Sequence, residues 1–242
     1  MSQFLLVIPA YCEGRRLPDF ANRLLPALAQ AGLSVEVQVV DDGSLQGERA
    51  AMETLCQKLR DRWPFLRPLI SLSVNAGKGG AVYAGWDLAD EEKWVGFCDA
   101  DGSVPAEEVV RLMQAVLAAN DPMVCVIASR RSAERKSVHR AWLRSGLSWL
   151  FSLWVRRCTG LGVWDTQCGC KFMPAAVYRR IRPQLRERRF VFDVELLERA
   201  VQAGARVLEE PVNWVSRPGG SLRLWRDGAA MVAAVWRLRN RR

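Results

Sequence analysis

Residues 94–101 read WVGFCDAD: five apolar or small residues in a row, then Asp99-Ala100-Asp101. A run that short and that apolar is a buried strand, and the chain leaving it enters a pair of alternating carboxylates. The same pattern recurs outward from this point. FLLVIP (4–9) is a strand ending at Pro9, with Ala10, Tyr11 and Glu13 behind it; VEVQVV (35–40) runs into Asp41-Asp42-Gly43-Ser44. LISLSV (69–74) and MVCVIAS (123–129) read as the third and fifth strands. Helical spacing of Leu17, Phe20, Leu24, Leu25 and Leu28 fills the first gap, with Pro26 expected to kink or shift the helix and Gly32 to stop it. A second helical stretch runs to about Arg60, AGKGGAVYAGWDLA gives a glycine-opened helix, and Pro105 with Glu107 and Glu108 suits another first turn. Strands alternating with helices imply an α/β fold, a Rossmann-like, mostly parallel sheet flanked by helices. Ligands bind such sheets at the carboxyl ends of the strands. The acidic clusters fall at those ends.

The second half is less regular. It holds a Trp- and Leu-rich segment (141–164), a turn-like DTQCGCK, a helix from Asp193 to Ala203, a strand ending VNWV, and a basic tail with Trp225 and Trp236. With no repeat, low-complexity tract or linker, we expect one domain over 1–242, with a regular half at 1–130 and a less regular half at 131–242.

Half of the 242 residues are hydrophobic and a quarter charged, a balance that excludes disorder and supports a sizeable core without disulfides. The seven cysteines form no framework, and several sit in apolar runs, which suits a reducing compartment. The N-terminal residues lack the features of a signal peptide, and no run reaches the roughly 18 apolar residues of a membrane span. We therefore expect a cytoplasmic protein, peripheral on the membrane. The net charge of +9 points to an anionic partner: phosphorylated substrate, anionic lipid or nucleic acid. No nucleic-acid motif accompanies it.

By itself Asp-x-Asp suits a solvated loop or a helix cap. Beside two other acidic strand ends it suits a diphosphate–metal site, because Mg²⁺ or Mn²⁺ uses one or two carboxylates plus substrate phosphates. Asp41-Asp42-Gly43-Ser44 fits a capped turn, or a carboxylate that accepts from a base N–H, with Asp42 the contact and Asp41 its support. Asn75-Ala76-Gly77-Lys78-Gly79-Gly80 resembles a phosphate cradle but departs from the P-loop pattern, and its glycines also fit close helix–sheet packing. Lys78 would face donor phosphates. Cys168-Gly169-Cys170 is a poor zinc site and a Ser-His-Asp hydrolase is improbable, since His139 is the only histidine. WLRSGLSWLFSLWVRR (142–157) is either a buried helix or an interfacial one, with Trp142, Trp149 and Trp154 at a lipid boundary.

VIPAYCEG, VVDDGS, NAGKGGAVYAG, FCDADGS, IASRR, DTQCGCKFM, RFVFDVELLERA and EEPVNWV, in this order, resemble family-2 glycosyltransferases of the GT-A fold. Within that family they are most similar to dolichyl-phosphate glucosyltransferase and dolichol-phosphate mannose synthase, with DTQCG-x-K and FDVELL closer to the glucosyl branch. The resemblance implies an inverting, metal-dependent hexosyltransferase using Mg²⁺ or Mn²⁺. Its donor would be a nucleoside-diphosphate sugar, UDP-glucose favoured over GDP-mannose, and its acceptor a polyprenyl phosphate. Pro9, Ala10, Tyr11, Glu13, Asp41 and Asp42 would bind the nucleotide. Asp99, Ala100 and Asp101 would hold sugar nucleotide and metal, and Ser103 stands where the mannose synthases can use Gln as a second metal ligand. Arg130, Arg144 and Ser148 match residues for the acceptor phosphate, and Lys171 and Arg217 match positions near the donor diphosphate. Asp193 and Glu195 are the carboxylates best placed to act as base or support. The rival readings are a transferase acting on a hydroxyl, which needs such a base, and a nucleotide-sugar-binding protein without turnover.

Overall fold

The computed structural model describes residues 2–90, 92–130, 142–217 and 224–239; over 142–149 and 224–230 it describes the backbone alone. Seven strands form one sheet: β1 (Phe4–Ala10), β2 (Val35–Asp41), β3 (Ile70–Ser71), β4 (Trp94–Cys98), β5 (Val124–Ser129), β6 (Cys170–Pro174) and β7 (Arg206–Pro211), in the order β3-β2-β1-β4-β6-β5-β7. The helices are α1 (Leu17–Gln30), α2 (Gln46–Arg62), α3 (Lys78–Trp86), α4 (Ala106–Ala119), α5 (Trp142–Thr159), α6 (Ala175–Ile181), α7 (Phe192–Gln202) and α8 (Leu224–Arg239).

The apolar runs are explained by burial on both faces. In β1, Phe4, Leu6 and Ile8 pack with α1 and α4, while Leu5 and Val7 pack with α3, α6 and α7. A third cluster joins Val155 and Cys158 of α5 to Val194 and Leu197 of α7 and Met231, Val235 and Leu238 of α8. The α5 segment therefore has a buried face, but Leu150 and Leu153 on it are exposed.

Four expectations change. The third strand is an edge strand of two residues, with Ser73 and Val74 beyond it exposed to solvent. Pro26 does not interrupt α1, which runs from Leu17 to Gln30. The last strand ends at Pro211, before VNWV; Val215 N–H donates to the Ser103 carbonyl, which draws that segment off the sheet and across the strand ends. The largest change is β6. The end of the turn-like stretch, with the residues after it, is an interior strand antiparallel to both β4 and β5. Its lysine and its flanking glycine masked it, since a five-residue strand gives little periodicity to read.

The β4–β6 pair is tight. Gly96 opposes Phe172, and a Cβ at Gly96 would overlap Phe172 Cδ1 and Cε1, at the edge of the ring. We expect Gly96→Ala to destabilise the protein by about 1–3 kcal/mol, the usual cost of overpacking. An unchanged midpoint in urea unfolding would contradict this packing.

Candidate functional site

Because β2, β1 and β4 are parallel neighbours, the residues after them meet along one edge of the sheet. This places Tyr11 and Glu13, Asp41 and Asp42, and Asp99 and Asp101 along that one edge. Tyr11 is exposed there, while Pro9 and Ala10 belong to β1 itself. The Cys12 amide donates to Ser44 Oγ (2.9 Å), joining the first two strand ends.

Asp41, the last residue of β2, and Asp42 after it are both buried and bonded to the protein. Asp41 accepts from the Ser44 amide (3.0 Å) and from Arg49 Nε (3.3 Å), which fixes the entry to α2. Asp42 accepts from the amides of Ala76 and Gly77 (2.7 and 2.9 Å) and so pins the loop that opens α3. Burial raises the Asp42 pKa although these amides oppose the shift. Gly77 has φ +85°, and a Cβ there would lie 2.5 Å from the Arg188 carbonyl oxygen; the glycine is needed for that close approach.

The charges near β4 alternate in sign. Lys78, the first residue of α3, places Nζ 2.6 Å from Asp99 Oδ1. Lys171 of β6 places Nζ 2.6 Å from Asp193 Oδ1 and donates to the Cys168 carbonyl (2.7 Å). The Phe97 ring lies near both ammonium groups, its centroid 4.9 Å from Lys78 Nζ and 5.2 Å from Lys171 Nζ. Burial works against the Lys78 charge, but Asp99 and Asp193 outweigh it and hold the pKa above its ordinary value. Burial raises Asp99, with Asp101 and Asp193 adding to the shift and Lys78 opposing it. Burial also raises Glu13 against its partner Arg16.

Asp101 is half-buried and uses Oδ1 to accept from the Ser103 amide (2.9 Å); Ser103 is buried beside it. The Asp101 carboxylate is a hard oxygen donor at this edge of the sheet. No group of three or more His, Cys, Asp or Glu is assembled as a metal cage among the described residues. One carboxylate and a neighbouring hydroxyl fit a cation whose remaining ligands are water and substrate phosphate.

Arg130 follows β5 and is bonded to Asp165, a residue the sequence reading had not singled out. Asp193 is paired with Lys171, and Glu195, fully buried, accepts from the amides of Arg186 and Glu187 (2.8 and 2.7 Å). Arg217 is exposed. Arg144 and Ser148 lie in α5, where their side chains, with those of Trp142 and Trp149, fall outside the described residues. Gly169 was also missed: its carbonyl accepts from the Asp99 amide (2.8 Å), and a Cβ on it would overlap the Asp99 carboxylate. Its signal was present as the glycine of DTQCG. All seven cysteines are free, and burial pushes the Cys168 thiol up to about 12.

The family model described as "Glycosyl transferase family 2" matches residues 5–182. A dolichyl-phosphate beta-glucosyltransferase of Dictyostelium discoideum is 30% identical over 244 residues, covering 98% of this chain and 73% of that protein. An undecaprenyl-phosphate mannosyltransferase of Micrococcus luteus is 31% identical over 223 residues, covering 91% and 86%. A mannosyltransferase of Pyrobaculum calidifontis, solved with GDP-Man and Mn²⁺, shares the fold with a TM-score of 0.57 at 19% identity, over 90% of this chain and 58% of that one.

Asp42→Ala should free the Ala76 and Gly77 amides. Hydrogen exchange at these two positions is expected to rise by about tenfold or more, since each loses a charge-assisted bond of roughly 1.5–3 kcal/mol. Unchanged protection there would mean that the loop holds without Asp42.

Proposed function

The chain belongs to glycosyl transferase family 2, and from that premise we propose that it transfers a hexose from a nucleoside-diphosphate sugar to a polyprenyl phosphate. The observation that carries this reading is the meeting of the Asp99-Ala100-Asp101 strand end with the two lysine–aspartate pairs around Phe97. Such a site has carboxylates for a divalent cation and fixed cations for a diphosphate. Two relatives of this chain carry names that specify a polyprenyl or dolichyl phosphate acceptor, one glucosyl and one mannosyl. Resemblance of the DTQCG-x-K and FDVELL segments to the glucosyl branch favours UDP-glucose, with GDP-mannose as the alternative.

In this reading Tyr11, Glu13 and the loop pinned by Asp42 receive the nucleoside, and Lys78 and Lys171 set positive potential at the diphosphate. Asp101, with Ser103 beside it, would hold Mg²⁺ or Mn²⁺, which supplies Lewis-acid neutralisation of the leaving nucleotide. A phosphate acceptor is ionised near neutral pH and needs no base, in keeping with Asp193 and Glu195 being engaged by the protein. Arg130, Arg144 and Ser148 orient the attacking phosphate oxygen behind the anomeric carbon.

Lipid access is by peripheral contact. No described helix is long and apolar enough to cross a membrane. Trp154 of α5 stacks on Trp236 of α8 with centroids 6.2 Å apart, beside a cavity of about 650 Å³ lined by Trp154, Val232, Ala233, Trp236 and Arg237. Exposed Leu150, Leu153, Val232 and Trp236 with nearby arginines suit an anionic bilayer surface.

Offered UDP-glucose or GDP-mannose with undecaprenyl phosphate and Mn²⁺, the protein should form glycolipid. EDTA should stop it reversibly, and Asp101→Ala should lower transfer by about 10²-fold or more. Donor hydrolysis without glycolipid would refute the acceptor, and full activity in chelator the metal site.

The protein should also sediment with phosphatidylglycerol vesicles at low salt. High salt should release it if the arginines dominate, whereas inserted Trp154 and Trp236 would retain it. Failure to sediment at any salt concentration would return α5 and α8 to the role of core helices.

A further inference from the structure

The chain leaves β5 at Arg130, whose guanidinium is not a loose surface cation. Asp165 takes the Arg130 backbone amide (2.8 Å) and Nε (2.8 Å) on Oδ2, and Nη2 (2.7 Å) on Oδ1. The carboxylate is 7% exposed and the arginine side chain 37%, so the pair is buried on the Asp165 side and open on the other. A guanidinium has five N–H donors, and two of them are committed here. The remaining edge is unbonded among the described residues. Arg130 Cζ lies over the Trp214 ring, 5.9 Å from its centroid.

Asp165 is itself held by its neighbours. Glu209 of β7, opposite Ile127 of β5, accepts from the amides of Trp164 and Asp165, both at 2.9 Å. Arg156 of α5 lies 3.8 Å from the Trp164 ring centroid and donates to the Gly162 carbonyl (3.2 Å). One turn thus joins β5 and β7 to α5, the helix that also carries Arg144 and Ser148. Burial alone would raise the Asp165 pKa, but the hydrogen bonds and charge of Arg130 hold it below the ordinary carboxylate range. The pair therefore stays ionised at neutral pH.

We infer that Asp165 is a positioning residue: it clamps Arg130 in one rotamer, so that its open edge meets the acceptor phosphate in register with α5. This rests on the proposed acceptor role of Arg130. An unclamped arginine loses rotamer freedom on binding, and a planar fork is useful to a phosphate only when correctly aimed. Asp165 supplies that aim before the lipid arrives. It touches Arg130 and does not touch substrate.

The test is a double-mutant cycle on transfer to undecaprenyl phosphate, using Arg130→Ala, Asp165→Asn and the double variant. UDP or GDP binding by calorimetry, whichever nucleotide supports transfer, serves as a control for folding. Asp165→Asn should lower kcat/KM for the lipid phosphate by about 10- to 100-fold, with nucleotide affinity within about twofold of wild type. In the Arg130→Ala background the same change should cost nothing further, and Asp165→Glu, which keeps the charge, should recover part of the loss. Additive losses with weakened nucleotide binding would make Asp165 merely structural and overturn the inference. So would an Asp165→Asn variant with normal acceptor kinetics beside a crippled Arg130→Ala. If Arg130→Ala leaves acceptor kinetics unchanged, the acceptor role of Arg130 falls, and the inference with it.

Discussion

Between β4 and β5 the chain lays in β6, antiparallel to both, and the register of that insertion fixes the chemistry beside it. Phe97 opposes Lys171 and Cys98 opposes Cys170 on one side, while Ile127 opposes Lys171 on the other. A shift of one residue would turn Lys171 to the opposite face of the sheet and take it from Asp193. The insertion also sets Gly169 against Asp99 and leads out of the turn that holds Asp165. The Gly96–Phe172 packing is what specifies this register.

Burying Lys171 and Asp193 together carries a desolvation cost that the ion pair alone need not repay. Here the ammonium also donates to the Cys168 carbonyl, and Phe97 offers its ring to both lysines. Removing one partner of a buried pair typically costs about 3–5 kcal/mol, because the other charge is left stranded. Lys78 and Lys171 are thus held at fixed points rather than on mobile side chains. Fixed charge is what a diphosphate leaving group requires in the proposed reaction, since no reorganisation is needed when negative charge develops.

The second half of the chain contributes in two ways. Strands β6 and β7 complete the sheet, so residues after 130 are part of the same layer as the first four strands. Helices α5 and α8 pack on α7 through Val155, Val194 and Val235 and leave Trp236, Leu150 and Leu153 outside. Helix α5 has a buried face with Val155 and Cys158 and an exposed one with Leu150 and Leu153.

Much was legible in residues 4–129 because parallel strands buried on both faces write themselves as apolar runs, and because such strands deliver the residues after them to one edge of the sheet. WVGFC with Asp-Ala-Asp behind it, and VEVQVV with Asp-Asp-Gly-Ser behind it, determined the fold class and put acidic residues at the strand ends without coordinates. Tertiary structure alone decided the partners. Asp42 spends its carboxylate on the Ala76 and Gly77 amides 34 and 35 residues away, and Arg130 meets Asp165 across 35 residues. Such pairings leave no local period in the chain. The β6 strand was hidden for a related reason: an antiparallel insertion of five residues gets its burial from neighbours on both sides, and nothing within CKFMP states which strands those are.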